Sequence, residues 1–348
     1  MKIQENVALA PWTTLQVGGP ARYFAEAHRE DEVMEAVTFA KLRNLPFFIL
    51  GGGSNVLIAD EGWPGLILRI SIGGLTTEAS GNAIRFTAGA GHDWDNFVGQ
   101  AVTQNCGGVE CLSGIPGTVG GTPVQNVGAY GQEVSETIES VRALDTRDDR
   151  IIVLPRPACR FRYRSSIFST AERGRYIILR VNYRLQRGGS PSLRYADLQK
   201  HFADAKTPPT LAAVREAVRE IRRSKGMLIV AGDEDCRSVG SFFKNPVLTE
   251  EQFQELATRA QARGLEAPSY PAPEGHRKTS AAWLVEHSGF AKGLRSGQVG
   301  ISSKHALAII NTGEAKATDI LDLKEEIQQG VQSTWGIHLE PEPVLVGF

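Results

Sequence analysis

The chain has 348 residues, 41% hydrophobic and 22% charged, with a formal net charge of −1. That length calls for two or three domains and the balance is that of a folded globular chain, which argues against disorder and against the basic field of a nucleic-acid binder. No stretch is long and apolar enough to span a bilayer, the first residues lack a signal-peptide pattern, and Cys106, Cys111, Cys159 and Cys236 form no CxxC or CxxH pair, so reduced structural thiols, no metal site and a cytoplasmic setting are expected.

In chain order, a helix is expected over 30–44, where Glu30, Asp31 and Glu32 suit the positive end of the dipole and Lys41 and Arg43 the negative end. Val33, Val37 and Ala40 share its apolar face, and Pro46 stops it. Residues 47–50 read as a buried strand, and further strands are expected at 67–70 and 84–88. Residues 111–132 hold no charge, six glycines and two prolines, a density that forbids a membrane helix. Strands follow at 151–154 and 176–185, then a turn at 187–192, a linker at 206–210 and a charged helix at 211–223.

A second compositional block starts near Met227. It is expected to hold helices at 250–263 and 280–287, the latter closed by Gly289, and a strand at 306–310. Thr318 is the expected cap of a last helix in which Ile320, Leu323, Ile327 and Val331 keep helical spacing, and 339–346 is extended. Strands and helices mix without regular alternation, so the fold class is α+β.

Five segments suggest chemistry. Gly51-Gly52-Gly53-Ser54-Asn55 follows a strand, where consecutive backbone N–H groups form an anion-binding nest, although a plain tight turn fits as well. It is no P-loop, since no Lys-Ser/Thr follows, and Val56 stands where a Rossmann fingerprint needs its third glycine. The run Gly114-Ile115-Pro116-Gly117-Thr118-Val119-Gly120-Gly121, continuing to Gly128-Ala129-Tyr130-Gly131, suits a loop that wraps a large planar cofactor with main-chain donors; the alternative is a long surface loop. Arg160-Phe161-Arg162-Tyr163-Arg164 alternates, so an extended backbone would put three guanidinium groups on one face, as a carboxylate clamp or as a solvated edge strand. Ser241, beside Phe242 and Phe243, lacks the elbow of a hydrolase nucleophile and reads as an ordinary serine. Leu339-Glu340-Pro341-Glu342-Pro343 sets two carboxylates near the C-terminus, where a stiff exposed tail is the usual meaning.

Taken in order, Thr14-Leu15-Gln16-Val17-Gly18-Gly19, residues 51–57, 114–131, Tyr163-Arg164-Ser165-Ser166-Ile167-Phe168, residues 240–246 and 339–342 resemble the UDP-N-acetylenolpyruvoylglucosamine reductase family along nearly the whole chain. Val124-Gln125-Asn126 and Leu193-Arg194-Tyr195-Ala196-Asp197-Leu198 are similar to the subgroup with a tyrosine-bearing loop over the substrate. The resemblance implies a two-subdomain FAD-binding fold of the vanillyl-alcohol-oxidase type, over 1–70 and 71–226, a C-terminal substrate-binding α+β domain over 227–335, and a segment 336–348 returning to the active site. FAD is implied to be non-covalent, held by Gly51, Gly52, Gly53, Ser54, Asn55, Gly117, Thr118, Gly120, Gly121 and Tyr130. NADPH and the UDP-sugar are implied to use one cleft in turn, in a monomeric enzyme of peptidoglycan precursor synthesis.

The same resemblance implies catalytic roles for Arg164 and Glu342 at the substrate carboxylate and for Ser241 as proton donor, with Tyr163, Tyr195, Lys225, Asn245 and Tyr270 holding substrate. Two places depart from the family pattern: Pro343 replaces an aliphatic residue, and Gly226-Met227-Leu228 follows Lys225 without the usual Leu-Pro. A sugar or lactone oxidase of the same fold is the nearest alternative, but many of those carry a covalent-attachment histidine in the first glycine turn, and this turn has none. A silent flavin carrier would have no use for Arg164, Ser241 and Glu342 together, and a hydrolase would need a histidine beside Ser241.

Overall fold

The computed structural model describes residues 1–272 and 275–348. They divide into a larger unit of residues 1–8, 20–53 and 63–229, and a smaller unit of residues 9–19, 54–62 and 230–348.

The larger unit holds two larger sheets and the two-stranded pair Gly128–Ala129 and Gln132–Glu133. In the first, Ile3–Ala8 pairs antiparallel with Pro20–Ala27, which runs parallel to Trp63–Ile70, itself parallel to Phe47–Leu50. The helix Glu30–Leu42 links two of these strands and buries Val33, Ala36, Val37 and Ala40. Its free N-terminal groups are met by Glu32, whose carboxylate accepts from the backbone N–H groups of His28 and Arg29. It ends at Asn44, whose φ of 50° is left-handed and common for asparagine.

The second sheet is antiparallel, in the order Arg150–Pro155, Ile138–Asp145, Tyr176–Arg187, Ala83–Gly89, Leu75–Ser80. The register sets Tyr183 opposite Phe86, and both are fully buried. The helix Trp94–Thr103, capped by Asp93, lays Trp94 and Phe97 against them, with the Phe97 and Tyr183 rings 4.6 Å apart. This aromatic cluster carries two polar handles. The Tyr183 and Thr122 hydroxyls share a 2.7 Å hydrogen bond, and Trp94 Nε1 donates to the Leu112 carbonyl at 3.0 Å. Both partners lie in the uncharged loop or at its mouth, so the core fixes the loop.

In the smaller unit the helix Ala317–Trp335 turns Ile320, Leu323, Ile327, Val331 and Trp335 into the core, and Gly336 closes it with a φ of 76°. The helices Glu250–Gln261 and Ala281–Glu286 pack into the same core. One three-stranded sheet is Arg295–Ser296, Val299–Ile301 and Ile309–Asn311; another is Val247–Thr249, His276–Lys278 and Tyr270–Pro271. Val344–Val346 pairs in parallel with Val56–Ile58.

Three expectations change. The strand expected at 306–310 is confined to Ile309–Asn311, because Ala306 to Ala308 form a turn in which the Ala308 N–H donates to His305. Residues 160–164 are not extended: Arg160 and Arg164 have φ values of 48° and 49°, and Arg162 and Ser165 exchange backbone bonds across a two-residue turn. The three guanidinium groups therefore do not share a strand face. Thr318 is not the cap of the last helix, which begins after Lys316. The N–H groups of Ala317 and Thr318 donate instead to the Asp60 carboxylate at 2.7 and 3.1 Å, and the Thr318 hydroxyl does the same at 3.1 Å. A carboxylate far away in sequence thus caps the helix and complements its dipole.

Asp60→Ala should lower stability by about 1–2 kcal/mol, the range for losing a cap. Thr318→Ala, which leaves both N–H bonds, should lose less. Urea titration of the two variants checks this, and equal losses would count against the cap.

Candidate functional site

The two glycine segments meet within the larger unit. A side chain at Gly52 would place its Cβ 2.6 Å from Gly117 Cα, and one at Gly51 would come within 3.1 Å of Thr118 Oγ1. Gly53 has a left-handed φ of 66°, which glycine favours, and Gly117 a φ of 118°, which glycine alone adopts without strain. Gly120 is closed in from below, since its Cβ would lie 2.7 Å from that of Ala90, whereas Gly121 faces open space. The loop is tied by Val119 N–H to the His92 carbonyl and Gly120 N–H to the Ala90 carbonyl. At its start, Asp95 accepts from Gly114 N–H at 2.7 Å and from Arg215 at 2.6 Å, and also bonds Arg219. Burial works to raise the Asp95 carboxyl, but these bonds and charges outweigh it and hold it below the usual range. Ser54 and Asn55, the last residues of the first turn, belong to the smaller unit.

Around Tyr130 the larger unit gathers cations and rings. Tyr130 is 9% exposed with a φ of 47°, and its ring meets Tyr195 edge-on at 5.2 Å. The Lys225 ammonium lies 5.9 Å from both ring centroids and pairs with Asp197 at 2.5 Å. Burial, opposed by Arg222 and Lys225, pushes the Tyr130 phenol up, so it is a neutral donor at physiological pH. Arg222 donates from Nε to the Gly114 carbonyl at 3.0 Å and from Nη2 to the Met227 carbonyl at 2.6 Å. Arg164 Nη2 donates to the Gly128 carbonyl at 2.7 Å, and its turn is stitched to the same loop by Asn126 Nδ2 to the Arg162 carbonyl and Ser166 Oγ to the Val124 carbonyl. Tyr163 lies beside Arg164, with the guanidinium carbon 5.3 Å from its ring.

In the smaller unit Ser241 and Glu342 sit on paired segments. Phe243 and Pro341 form an antiparallel bridge, Glu342 N–H donates to the Phe242 carbonyl at 2.8 Å, and Lys244 N–H donates to the Glu340 carbonyl at 3.0 Å. Asn55 brackets Glu342: its side-chain amide donates to the Glu342 carbonyl at 3.3 Å and its own carbonyl accepts from Val344 N–H at 3.0 Å. Glu340 points its carboxylate to Lys244 at 3.3 Å, with 71% of its side chain exposed. Asn245 Oδ1 accepts from Ala281 N–H at 2.9 Å, which fixes the start of the helix Ala281–Glu286. Tyr270 is exposed on a short strand.

Residues 21–154 match the FAD binding domain family, and residues 233–346 match the C-terminal domain of UDP-N-acetylenolpyruvoylglucosamine reductase. The UDP-N-acetylenolpyruvoylglucosamine reductase of Thermobifida fusca is 44% identical over 98% of this chain and 97% of its own. The chain belongs to the UDP-N-acetylenolpyruvoylglucosamine reductase family. The Streptomyces coelicolor reductase is 43% identical over 98% of this chain and 90% of its own. The crystal structure of the family's Thermus caldophilus member covers 99% of each chain with a TM-score of 0.69 at 26% identity. An α+β fold with an FAD-binding domain followed by the reductase family's own C-terminal domain is thus what the chain has. Among the described residues, no helix is long and apolar enough to cross a membrane, and no cluster of potential metal ligands occurs.

The reductase-family chain fits FAD on its own geometry: the Gly52–Gly117 contact leaves backbone, not side chains, at the surface of the loops, as close approach to a diphosphate requires. His92, bonded through its carbonyl to Val119, also carries a buried Nε2 with no partner among the described residues. Sequence reasoning missed His92, the Asp95–Arg215–Arg219 cluster and Arg222, since each acts across a long sequence separation.

Gly52→Ala should weaken FAD binding about 10–100-fold, as overpacking typically costs about 1–3 kcal/mol. Gly121→Ala, whose Cβ would meet nothing within 4 Å, should bind FAD like the parent. Flavin fluorescence titration of the two apoproteins measures both.

Proposed function

We propose that the chain reduces the enolpyruvyl ether of UDP-N-acetylglucosamine enolpyruvate to UDP-N-acetylmuramate, with non-covalent FAD and with NADPH as reductant. FAD, when bound, relays the hydride between donor and double bond. Reduction leaves negative charge on the carbon next to the substrate carboxylate, so groups that meet that carboxylate lower the barrier. Arg164 takes this part as the cation, and Glu342 shares a hydrogen bond with the developing enolate. Ser241 supplies the proton; a hydroxyl suffices because such an enolate is a strong base. Lys225 suits the diphosphate as a point charge, with Tyr163, Tyr195, Asn245 and Tyr270 holding the rest of the sugar nucleotide. Tyr130 lines the place that NADPH and the UDP-sugar occupy in turn. In this reading Tyr195 belongs to a substrate-covering loop, the divisions fall at 70/71, 226/227 and 335/336, and the enzyme is a cytoplasmic monomer.

The observation that supports the reading best is the bond from Glu342 N–H to the Phe242 carbonyl, which joins the segment of Glu342 to the segment of Ser241 in a chain 44% identical to a reductase of this name. The test is direct. The purified protein should be yellow and release its flavin on acid precipitation, and UDP-N-acetylglucosamine enolpyruvate should re-oxidise the NADPH-reduced form. A reduced flavin that the sugar nucleotide leaves untouched would overturn the proposal.

Ser241→Ala should keep flavin reduction by NADPH and lose about 10²–10⁴-fold in sugar reduction, the scale of general-acid catalysis. Stopped-flow measurement of the two half-reactions separates them, and equal slowing of both would remove Ser241 from the proton step. Glu342→Gln should lower turnover about 10²-fold, whereas Glu340→Gln should be close to neutral because its carboxylate pairs with Lys244 at the surface. Steady-state turnover of the two variants decides, and greater damage in Glu340→Gln would reverse the assignment.

A further inference from the structure

We infer that Glu110 is a positioning residue for substrate binding, acting by fixing the segment that carries Tyr195; this rests on the role proposed for Tyr195 above. Glu110 is fully buried, and a carboxylate there is tolerable only if its oxygens are met by donors. Three N–H groups meet them: Gly108 N–H at 2.8 Å, Gln132 Nε2 at 2.8 Å and Ser192 N–H at 2.9 Å. The buried Gln132 turns its other end to Cys111, accepting from its N–H at 2.8 Å. Cys111 in turn donates its thiol to the Ser192 carbonyl at 3.3 Å. Consecutive residues, 110 and 111, therefore hold both the N–H and the C=O of Ser192.

The segment needs such a hold. Residues 189–194 belong to no helix or strand, so no ladder of backbone bonds fixes them. Tyr195 follows three positions after Ser192 and meets Tyr130 edge-on. Arg194 lies so close to Gly131 that a Cβ there would come within 3.0 Å of its own. Gln132 is the next residue after Gly131, so Glu110 is bonded to a residue two positions from Tyr130 and to one three positions from Tyr195. One buried carboxylate thus sets where the two tyrosines stand, without touching substrate.

Glu110→Gln tests this, because an amide presents a donor to one of the N–H sets and must lose it. Amide exchange over 189–196, read by mass spectrometry on the flavin-loaded protein, should quicken at least ~10-fold, as expected for a segment released from a buried anchor. KM for the enolpyruvyl sugar nucleotide should rise ~10-fold, with kcat and the NADPH half-reaction within about twofold. A second variant isolates the Ser192 link. Glu110→Gln combined with Gln132→Glu restores the bond between 110 and 132 with roles exchanged, but leaves Ser192 N–H facing an amide donor. It should recover thermal stability and keep the raised KM, and it carries the test alone if the single variant does not fold. Normal KM in the double variant, or faster exchange with unchanged KM in the single one, overturns the inference. A parent protein that fails to turn over the sugar nucleotide overturns the proposed function instead.

Discussion

The 2.7 Å bond between the Tyr183 and Thr122 hydroxyls joins the most ordered part of the larger unit to the part least able to order itself. A chain rich in glycine loses more conformational freedom on folding than any other, and the uncharged loop has no charged side chain to tie it down. Its shape is imposed from outside. Trp94 holds the Leu112 carbonyl, Asp95 holds the Gly114 N–H, and Ala90 leaves no room for a side chain at Gly120. Because those groups belong to a close-packed aromatic core, the loop inherits the rigidity of the sheet, and its main-chain donors are set in advance of any ligand.

Charge is handled by the same division of labour. The loop itself is neutral, yet Arg164, Arg222 and Lys225 all lie against it or against Tyr130. A net charge of −1 says nothing of this local excess of cations. Asp197 keeps the Lys225 ammonium paired, and Asp95 pairs Arg215 and Arg219 nearby, so these cations hold fixed positions instead of sweeping through solvent. Lys225 in particular is presented with one carboxylate already in hand.

Much of the fold was legible because local signals agreed with it. The helix Glu30–Leu42 carried acids at its start and an apolar face, and the charged run expected as a helix over 211–223 is the helix Leu211–Ser224. The strand Ile3–Ala8 was not visible, since it is an edge with Gln4, Glu5 and Asn6 exposed and offers no alternation to read. The helix Trp94–Thr103 does keep Trp94, Phe97, Val98 and Ala101 at helical spacing, but Gly99 and the neighbouring glycines obscure it. Alternation misled at 160–164, where the left-handed residues Arg160 and Arg164 break the extended backbone on which a shared face depends. The glycine segments were readable from spacing, and Ser241 and Glu342 were singled out only through the family resemblance, whereas Asp60, Asp95 and Glu110 were not readable: each carboxylate finds donors far along the chain.

The chain passes between the two units five times, at 8/9, 19/20, 53/54, 62/63 and 229/230. The smaller unit is consequently a mosaic: Leu9 to Gly19 and Ser54 to Gly62 reach it long before its main body is synthesised. Thr14 waits for the Ser238 carbonyl, Asp60 for the start of the last helix, and Asn55 for Glu342, a span of 287 positions. Such wide loops are slow to close and leave early segments without partners on the ribosome. The larger unit can gather its sheets first, while the residues around Glu342 can be completed only when the last strand has been made. In a family member built this way, a nascent or prematurely ended chain can hold its glycine loops and still lack the segment that carries Glu342.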